Sequence, residues 1–312
     1  MSSLPLITAV TPLVKVLRYS HLGVAVSNIR ISLDFYEKIG FNLKSAEDVP
    51  VVVMQNKGGL ELHLFECDKG IDEDRNILMD FPETKYPGHT HASFSVPNVQ
   101  SARNLLESKD LVISGERKMG GKLLSIFTRD PDRTTYEFEK NDGVPLDVEV
   151  TTEMIGYPQN IDHIGIRVST PEQSWLWYAE TLGFVHNAKK YQHNEDLIKN
   201  GPPWISRTET HVDINFIINA NTQLDHNVLL ADGVTRPGII YAAYEVADVE
   251  AATHALQSAG IVVTRDADLH AHPSLSCLAR NIITPGTGGS IFLEDSNHNL
   301  LRLVGSDSRS VV

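Results

Sequence analysis

The stretch Tyr86 to Val99, Y-P-G-H-T-H-A-S-F-S-V-P-N-V, sets the pattern for the rest of the chain. Side chains alternate between the two faces of a β-strand. In a strand through this stretch, Ala92, Phe94 and Val96 would form an apolar face. The opposite face would carry His91 among small hydroxyl side chains. The stretch therefore predicts a strand with one face for a hydrophobic core and one face for chemistry.

The same stretch returns in weaker form from Arg236 to Val249, R-P-G-I-I-Y-A-A-Y-E-V-A-D-V, and other segments repeat with it. S-H-L-G-V-A-V at Ser20 recurs as D-H-I-G-I-R-V at Asp162, and F-Y-E-K-I-G-F at Phe35 recurs as W-Y-A-E-T-L-G-F at Trp177. Self-similarity of this kind indicates a tandem duplication. We expect an N-terminal arm, a first domain, a linker, a second domain and a C-terminal tail, at residues 1–15, 16–141, 142–159, 160–305 and 306–312.

Each copy divides again into two units, in which a strand is followed by a helix and then by further strands. In the first copy, helices are predicted at 28–39, closed by Gly40, and at 99–108. In the second copy, Thr170-Pro171-Glu172-Gln173 predicts an N-cap, a proline at the first helical position and a capping box. Asp248 is expected to cap a helix that ends at Gly260. Strands are expected in the first copy at 21–26, 51–55, 60–66, 91–96, 123–128 and 135–140. The predicted fold class is α+β, with four βαβββ units that form curved mixed sheets around cavities.

The composition argues against several kinds of partner. The chain has 312 residues, of which 41% are hydrophobic and 21% charged, and its formal net charge is -13. An excess of carboxylates repels nucleic acid and anionic membranes, and no apolar run is long enough to span a bilayer. Cys67 and Cys277 would fall in different copies, so no disulfide framework is expected. We expect a soluble cytoplasmic monomer or homodimer that binds a small-molecule substrate.

The inner face of the predicted strands combines ionisable side chains with small ones. The inward residues of the first copy would be His21, Gly23 and Ala25, then Glu61, His63 and Phe65, then His91, Ser93 and Ser95, and finally Thr135, Glu137 and Glu139. A buried carboxylate without a cation or hydrogen-bond donors is costly. Histidine and glutamate side chains that converge on one cavity therefore predict a divalent metal ion.

Four motifs resemble those of the vicinal oxygen chelate superfamily, which includes glyoxalase I, bleomycin and fosfomycin resistance proteins, methylmalonyl-CoA epimerase and extradiol dioxygenases. The motifs are H-L-G-V-A-V-S-N-I at His21, G-L-E-L-H at Gly59, G-H-T-H-A-S-F-S-V-P-N-V at Gly88 and R-D-P-D-R-T-T-Y-E-F at Arg129. Arg133-Thr134 departs from the Gly-Asn that is usual in the family. The resemblance implies metal ligands at four positions of the first copy, namely His21, Glu61, His91 and Glu137.

The second copy fills the equivalent positions differently. They hold His163, Asp213, Tyr241 and Arg302. A guanidinium group cannot ligate a metal ion, and tyrosine seldom does so in this family. The cavity of the second copy, taken alone, is therefore predicted to be free of metal.

The resemblance leaves two ways of closing the site, because family members build it either from two units of one domain or from units exchanged between domains. Closure within the first copy gives His21, Glu61, His91 and Glu137. Exchange between the copies gives His163, Asp213, His91 and Glu137. Two residues, His91 and Glu137, belong to both sets. We favour closure within the first copy because its four residues match the family better.

The resemblance implies a metal-dependent enzyme for a small substrate that chelates the ion through two oxygens. With Zn, Ni, Mn or Fe(II), lyase or isomerase chemistry of the glyoxalase I kind would run through a metal-stabilised enediolate. Glu137 or Glu61 would move the proton. His63 would be a further acid or base lining the cavity.

Two other functions stay open at the sequence level. His21, His91 and Glu137 alone would form the two-histidine, one-carboxylate triad of Fe(II) oxygenases, as in extradiol ring-cleaving dioxygenases. Glu61 would crowd a position that such an enzyme keeps open. A protein of the bleomycin-resistance kind would instead bind a small molecule without catalysis. For any single histidine, a hydrogen-bonded core residue is the structural alternative.

Overall fold

The computed structural model describes residues 11–45, 50–70, 75–81, 83–140, 151, 154–186, 205–207, 213–218, 220–279 and 289–306. Within them the chain forms four units, each with the order strand, helix and three strands. This confirms the predicted α+β class and the four βαβββ units. We number the units 1 to 4 along the chain. In these residues no helix combines the length and the apolar character needed to cross a membrane.

Units 1 and 2 lie in the first sequence copy. Unit 1 contains β1 (Val16–Val26), α1 (Ile29–Lys38), β2 (Phe41–Ser45), β3 (Val51–Asn56) and β4 (Glu61–Glu66). Unit 2 contains β5 (Gly88–Val96), α2 (Val99–Ser108), β6 (Ile113–Met119), β7 (Lys122–Arg129) and β8 (Thr135–Lys140). The helix α2 has its predicted bounds, whereas β2 and β6 are additional to the strands that the sequence pattern predicts.

Units 3 and 4 lie in the second copy. Unit 3 contains β9 (Asn160–Val168), α3 (Pro171–Leu182), β10 (Val185–His186), β11 (Ile205–Arg207) and β12 (Asp213–Ile218). Unit 4 contains β13 (Gly238–Val246), α4 (Val249–Ser258), β14 (Val263–Arg265), β15 (Ser290–Glu294) and β16 (Leu300–Gly305). Short 3-10 helices lie at Val228–Gly233, Asp266–Ala271 and Ser276–Leu278.

Helix starts follow the side chains that the sequence places there. Asn28 and Asn98 cap α1 and α2 by accepting hydrogen bonds from backbone N–H groups of the first turn. Asp248 does the same for α4, as predicted. Pro171 lies in the first turn of α3, but the Thr170 side chain makes no capping hydrogen bond, so the predicted capping box is not formed.

The sheet pairs units from different sequence copies. β1 of unit 1 runs antiparallel to β13 of unit 4, and β5 of unit 2 runs antiparallel to β9 of unit 3. We call these pairs the 1–4 module and the 2–3 module. The modules join edge to edge between β5 and β13, where His89 faces Ile239. This pairing places His21 and Glu61 in one module and His91 and Glu137 in the other, which is the exchanged arrangement and not closure within the first copy.

The connection before β9 accounts for this exchange. The backbone N–H of Gln159 donates to the carbonyl of Ser95 in β5 (2.9 Å), and the Asn56 side chain donates to the carbonyl of Pro158 (2.9 Å). The chain that leads into unit 3 is thereby bound to both units of the first copy, and β9 enters the sheet directly beside β5. Unit 1 is left to pair with unit 4.

The two units of one sequence copy stay in contact on the helix side of the sheet. Tyr36 of α1 donates a hydrogen bond to Asp130 of unit 2 (2.9 Å). In the same way, Tyr178 of α3 donates one to Asp295 of unit 4 (3.1 Å). Helix-side contacts therefore follow the sequence copies, while strand pairing follows the modules, and the two copies interlock.

The two faces of the sheet separate as the alternation predicts. Leu22 and Phe94, from the predicted apolar face, are fully buried in the main core with the helices. A second apolar cluster lies on the inner face of the 1–4 module and includes Phe65, Tyr241 and Phe292, together with leucines of the three 3-10 helices. The interior of the 1–4 module is therefore filled by its own side chains.

Candidate metal centre

A shift in strand register precedes the site position in the first strand of every unit. In the β5–β9 pair, His89 faces Ile166 and His91 faces Gly165, so the pairing skips Thr90. The residues skipped directly before the site positions are Ser20, Thr90, Asp162 and Ile240. A bulge of this kind re-aims the local side chains. A site residue can then contact the side chain of its own predecessor, which a regular strand would point to the other face.

The 2–3 module brings two imidazoles and a carboxylate to one point. The Nε2 atoms of His91 and His163 lie 3.1 Å apart. The Oε2 atom of Glu137 lies 3.6 Å from His91 Nε2 and 3.3 Å from His163 Nε2. Glu137 and His163 are only 2% and 1% exposed. Two donor atoms that each bind one ion at about 2.1 Å lie about 3.0 to 3.4 Å apart. The two separations that involve His163 fall in this range, and the 3.6 Å between His91 and Glu137 is slightly longer, so the three atoms are close to the spacing of ligands on one metal ion.

The hydrogen bonds on the far side of each ring assign the tautomers. Asp162 Oδ2 lies 2.7 Å from His163 Nδ1, and a carboxylate only accepts, so this Nδ1 carries the proton. Thr90 Oγ1 lies 3.1 Å from His91 Nδ1 and donates its own proton to the Gly165 carbonyl, so His91 Nδ1 is also a donor. Both neutral rings then aim an Nε2 lone pair at the same space. Lone pairs at this separation repel each other unless a cation lies between them.

The carboxylate of Glu137 is held in its ionised form. Without a metal ion at the centre, a proton on Nε2 of His163 or His91 can take the place of the cation and be donated to Glu137. Burial alone would raise the pKa of Glu137, but these hydrogen bonds and the charge of Arg117 outweigh it and keep the pKa well below its ordinary value. Arg117 Nη2 lies 3.1 Å from Glu137 Oε1. One oxygen of Glu137 thus faces a guanidinium, while the other faces the two imidazoles. Burial lowers the pKa of His91, which favours its neutral, metal-binding form.

Negative charge accumulates behind the three converging atoms. Glu139 is bound by Arg117 (2.6 Å), yet burial and the neighbouring charges of Asp162 and Glu137 raise the pKa of Glu139 to about 7. Asp162, Glu137 and Glu139 are buried close enough to repel one another, and this repulsion destabilises the fold unless cations offset it. A divalent ion at the two imidazoles would supply that offset, so the charge distribution also fits a metal centre.

The exchanged set predicted from the sequence has a fourth member, Asp213. Its Cα pairs with that of His163 across β12 and β9, which is the same register that pairs Glu61 with His21 across β4 and β1. The side chain of Asp213 lies outside the described residues. The structure therefore establishes only that the Asp213 backbone lies beside His163.

His21 and Glu61 lie in the other module, away from His91 and Glu137. Glu61 Oε1 accepts hydrogen bonds from Lys44 (2.8 Å) and from Gln55 (2.9 Å). Burial would raise the pKa of Glu61, but hydrogen bonds from His63 and Lys44 lower it to about 2. Among the described residues, the groups spaced to hold a metal ion include neither His21 nor Glu61. The four-residue set of the first copy is thus not assembled.

His63 also belongs to the 1–4 module. Its ring stacks on that of His21, with centroids 3.7 Å apart, and its Nε2 lies 3.5 Å from Glu61 Oε2. Burial lowers the pKa of His63, and the nearby charge of Arg302 adds to this effect, although the bond with Glu61 opposes it. His63 therefore does not line the site that contains His91.

Tyr241 and Arg302 occupy the positions that ligands hold in the 2–3 module. Arg302 is fully buried, and it donates to Ser290 Oγ and to Asp266 Oδ2 at 2.9 Å each. The Tyr241 ring lies against Gly23, where a Cβ atom would be 2.1 Å from the ring. These residues build a packed polar interior in which side chains already occupy the central space.

Sequence reasoning missed three side chains that shape the metal centre. Asp162 and Thr90 directly precede His163 and His91, but their contacts depend on bulges that strand alternation does not reveal. Arg117 lies on β6, a strand absent from the predicted set. The D-H dipeptide at Asp162 is the one signal in the sequence, and it becomes informative only once the register shift is known.

The fold and the site define a tandem βαβββ protein with a candidate divalent-metal centre shared between its two copies. A family model described as the Glyoxalase/Bleomycin resistance protein/Dioxygenase superfamily matches residues 18–138 and 160–302. The chain belongs to this superfamily, which confirms the resemblance drawn from its motifs. A comparison with curated protein sequences finds no match.

Solved structures share the fold at low sequence identity. A presumed dioxygenase from Bacillus subtilis superposes with a TM-score of 0.61 at 13% identity, covering 93% of this chain and 86% of that one. A glyoxalase I variant from Zea mays gives a TM-score of 0.60 at 14% identity, with 94% and 95% covered. The CppA protein of Streptococcus pneumoniae gives 0.52 at 12% identity, with 93% and 100% covered. At these identities the likeness establishes the fold alone.

Proposed function

We propose that the 2–3 module binds one divalent metal ion through His91, His163 and Glu137, with Asp213 as a fourth ligand, and that the protein is an enzyme for a small substrate with two adjacent oxygens. The convergence of His91 Nε2, His163 Nε2 and Glu137 Oε2 is the observation that carries the proposal. The metal would be Zn, Ni, Mn or Fe(II), because imidazole and carboxylate ligands suit all four.

The reaction we propose is a non-redox lyase or isomerase reaction of the glyoxalase I kind. A bound divalent ion would polarise the substrate oxygens as a Lewis acid. Glu137 would take the proton from one of the two oxygen-bearing carbons and return it to the other. Arg117 holds Oε1 of Glu137, so Oε2, which faces the two imidazoles, is the oxygen that would leave the ion to accept this proton. Glu61 and His63, the other candidates for proton transfer, lie in the other module and are not part of this proposal.

The test compares matched histidines of the two modules. Wild type, His91→Ala and His21→Ala are each loaded with Zn, Ni or Mn, dialysed, and analysed for bound metal. We expect about one ion per chain in wild type and in His21→Ala, and almost none in His91→Ala. Loss of the hemithioacetal of methylglyoxal should follow the metal content. Equal metal contents in the two variants would contradict the proposed centre.

A second candidate function is Fe(II)-dependent ring cleavage of a catechol. It is favoured by the described donors themselves, since two imidazoles and one carboxylate form the triad of non-haem iron oxygenases. The fold also hosts both a glyoxalase I and a presumed dioxygenase. Oxygen uptake with catechols by the Fe(II)-loaded protein, without turnover of the hemithioacetal, would select this reaction. A wild type that binds no metal would leave a non-catalytic binding protein.

A further inference from the structure

The two histidines of the proposed metal centre are held by groups of different strength. Asp162 Oδ2 accepts from His163 Nδ1 at 2.7 Å, whereas Thr90 Oγ1 accepts from His91 Nδ1 at 3.1 Å. Asp162 is 3% exposed and His163 is 1% exposed, so water does not screen the contact. Hydrogen bonds to a charged acceptor are roughly twice as strong as bonds between neutral groups. The contact with Asp162 is therefore the stronger of the two.

The same backbone device appears in all four units with different side chains on it. In unit 1 the skipped residue Ser20 contacts His21 Nδ1 at 3.0 Å. In unit 4 the skipped residue is Ile240, whose alkyl side chain offers no acceptor to Tyr241. The first strands of all four units have this bulge, so the bulge alone does not account for an aspartate at position 162. Only unit 3 places a full negative charge behind a histidine that faces a second histidine.

We propose that Asp162 is a positioning residue that makes His163 the anchoring ligand of the metal centre. By holding the proton on Nδ1, Asp162 keeps the Nε2 lone pair directed at the ion, and its charge makes that nitrogen a better donor. His91, held only by a hydroxyl group, is the weaker ligand. This inference rests on the metal centre proposed above and assigns unequal roles to its two histidines.

A competing interpretation places a second cation between Asp162, Glu139 and His163, whose ligand atoms lie close enough together. A cation there would need a lone pair on His163 Nδ1, while the first ion needs one on Nε2. The ring would then have to be an imidazolate, because the neutral ring has one N–H donor and only one lone pair. Arg117 already provides Glu139 with a positive partner at 2.6 Å. The hydrogen bond is therefore the better account of Asp162.

The first test uses the metal-free protein, so it does not depend on the proposed function. Nitrogen-15 NMR of the histidine side chains reports which ring nitrogen carries the proton. We expect His163 to be fully protonated on Nδ1 in wild type and to show a mixture of tautomers in Asp162→Asn. Ser20→Ala, the matched change in the other module, should leave the His163 signals unchanged. An unchanged His163 tautomer in Asp162→Asn would overturn the role of Asp162.

The second test measures affinity for Zn or Co(II) by competition with a chelator. Asp162→Asn should bind about 10- to 100-fold more weakly than wild type. Thr90→Val, which keeps the shape of the side chain, should lose less than Asp162→Asn, and Ser20→Ala should lose nothing. If Asp162→Asn folds poorly, Asp162→Ser replaces it in this test. Asp162→Ser copies the serine–histidine pair of unit 1, and its metal affinity should lie between those of wild type and Asp162→Asn.

The outcomes separate this inference from the proposed function. Wild-type affinity in Asp162→Asn, or equal losses in Asp162→Asn and Thr90→Val, would overturn the anchoring role of His163. A wild type without metal affinity would overturn the proposed centre instead, while the tautomer measurement would still decide what Asp162 does.

Discussion

The 2–3 and 1–4 modules have the same strand order and the same bulges, yet their centres differ. In the 2–3 module the His91 ring lies over Gly165, and in the 1–4 module the Tyr241 ring lies over Gly23. The same close approach of ring and glycine thus presents a metal ligand in one module and a space-filling phenol in the other. The backbone provides a position, and the residue placed there decides between a metal centre and a packed interior.

The exchange of units between the two sequence copies explains why the 2–3 module contains a candidate metal centre and the 1–4 module a packed interior. The 2–3 module takes His91 and Glu137 from the first copy and His163 from the second. The 1–4 module receives what remains, including Arg302, whose guanidinium cannot bind a metal. One centre therefore combines ligand-type residues from both copies, while His21 and Glu61 stay in the 1–4 module. Arg302, which could not serve as a metal ligand, lies in the 1–4 module and leaves the metal centre of the 2–3 module unaffected.

The glycine contacts allow the sharpest test of this comparison. A methyl group added at Gly165 would lie 2.1 Å from the His91 ring, which must then move. Metal ligands tolerate displacements of only about 0.5 Å, so we expect Gly165→Ala to weaken metal binding by about 100-fold or more. Gly23→Ala makes the equivalent clash with Tyr241 and should cost about 1 to 3 kcal/mol of unfolding free energy. It should leave metal affinity intact.

Chelator competition and chemical denaturation on both variants measure the two effects. A loss of metal affinity in Gly23→Ala as large as that in Gly165→Ala would show that the modules are not independent. Gly165→Ala with unchanged affinity would show that the orientation of the His91 ring does not matter for the ion.

A second test uses the helix-side aspartates, which also differ between the modules. Burial, followed by the charge of Asp132, raises the pKa of Asp130 to about 7. Asp295 is its counterpart in unit 4, where burial also raises the pKa, but the residue two places later is Asn297. Asn297 accepts from the Ser169 backbone as Asp132 accepts from the Ser27 backbone. Asp132→Asn should therefore keep its hydrogen bond and remove a like charge.

The expected result is a change in the pH dependence of stability. Because the folded pKa of Asp130 lies above its unfolded value of about 3.9, folding favours the protonated form. This contribution is fully present below pH 4 and is lost as the pH rises through about 7. Asp132→Asn should reduce the loss by about 1 kcal/mol between pH 5 and 8. The measurement is the free energy of unfolding by urea as a function of pH. Curves of the same shape for wild type and Asp132→Asn would refute the electrostatic coupling between Asp130 and Asp132.

Much of the fold follows from local sequence. The alternation through His91 to Val96 places the correct residues on each face of β5, and the repeat locates all four units. The strands β2 and β6 are harder to predict because they lie at sheet edges, where half-exposed polar residues weaken the alternation. At Thr170 the capping motif is present, yet the side chain makes no capping hydrogen bond, so the motif alone does not determine the geometry of the cap.

The site is predicted only in part. Both ways of building the site, within the first copy or by exchange between the copies, include His91 and Glu137. The local sequence pattern was therefore sufficient to predict these two residues. The choice between His21 and His163 depends on which first strands pair, a contact between distant segments that leaves no periodic signal. Asp162 illustrates a further limit, because its contact needs a bulge that breaks the alternation on which the face assignment rests.

The smallest effect we expect concerns Glu61, the carboxylate that the match to the family makes a ligand. Its folded pKa of about 2 lies below the unfolded value of about 4.3, so its ionised form stabilises the protein at neutral pH. That contribution should be lost as the pH falls from about 4 to about 2. Since Glu61 is only partly buried and bound by the half-exposed Lys44, we expect about 1 kcal/mol.

Glu61→Gln should remove this acid-dependent step while its metal affinity stays at the wild-type level. Glu137→Gln, the matched change in the 2–3 module, should lose the metal instead, because the amide is a poor ligand for the ion. Acid unfolding and chelator competition on both variants give the comparison. If Glu61→Gln released the metal as Glu137→Gln does, the two carboxylates would have to act on one ion. The pairing of β1 with β13 and of β5 with β9 could not then be the arrangement of the active protein.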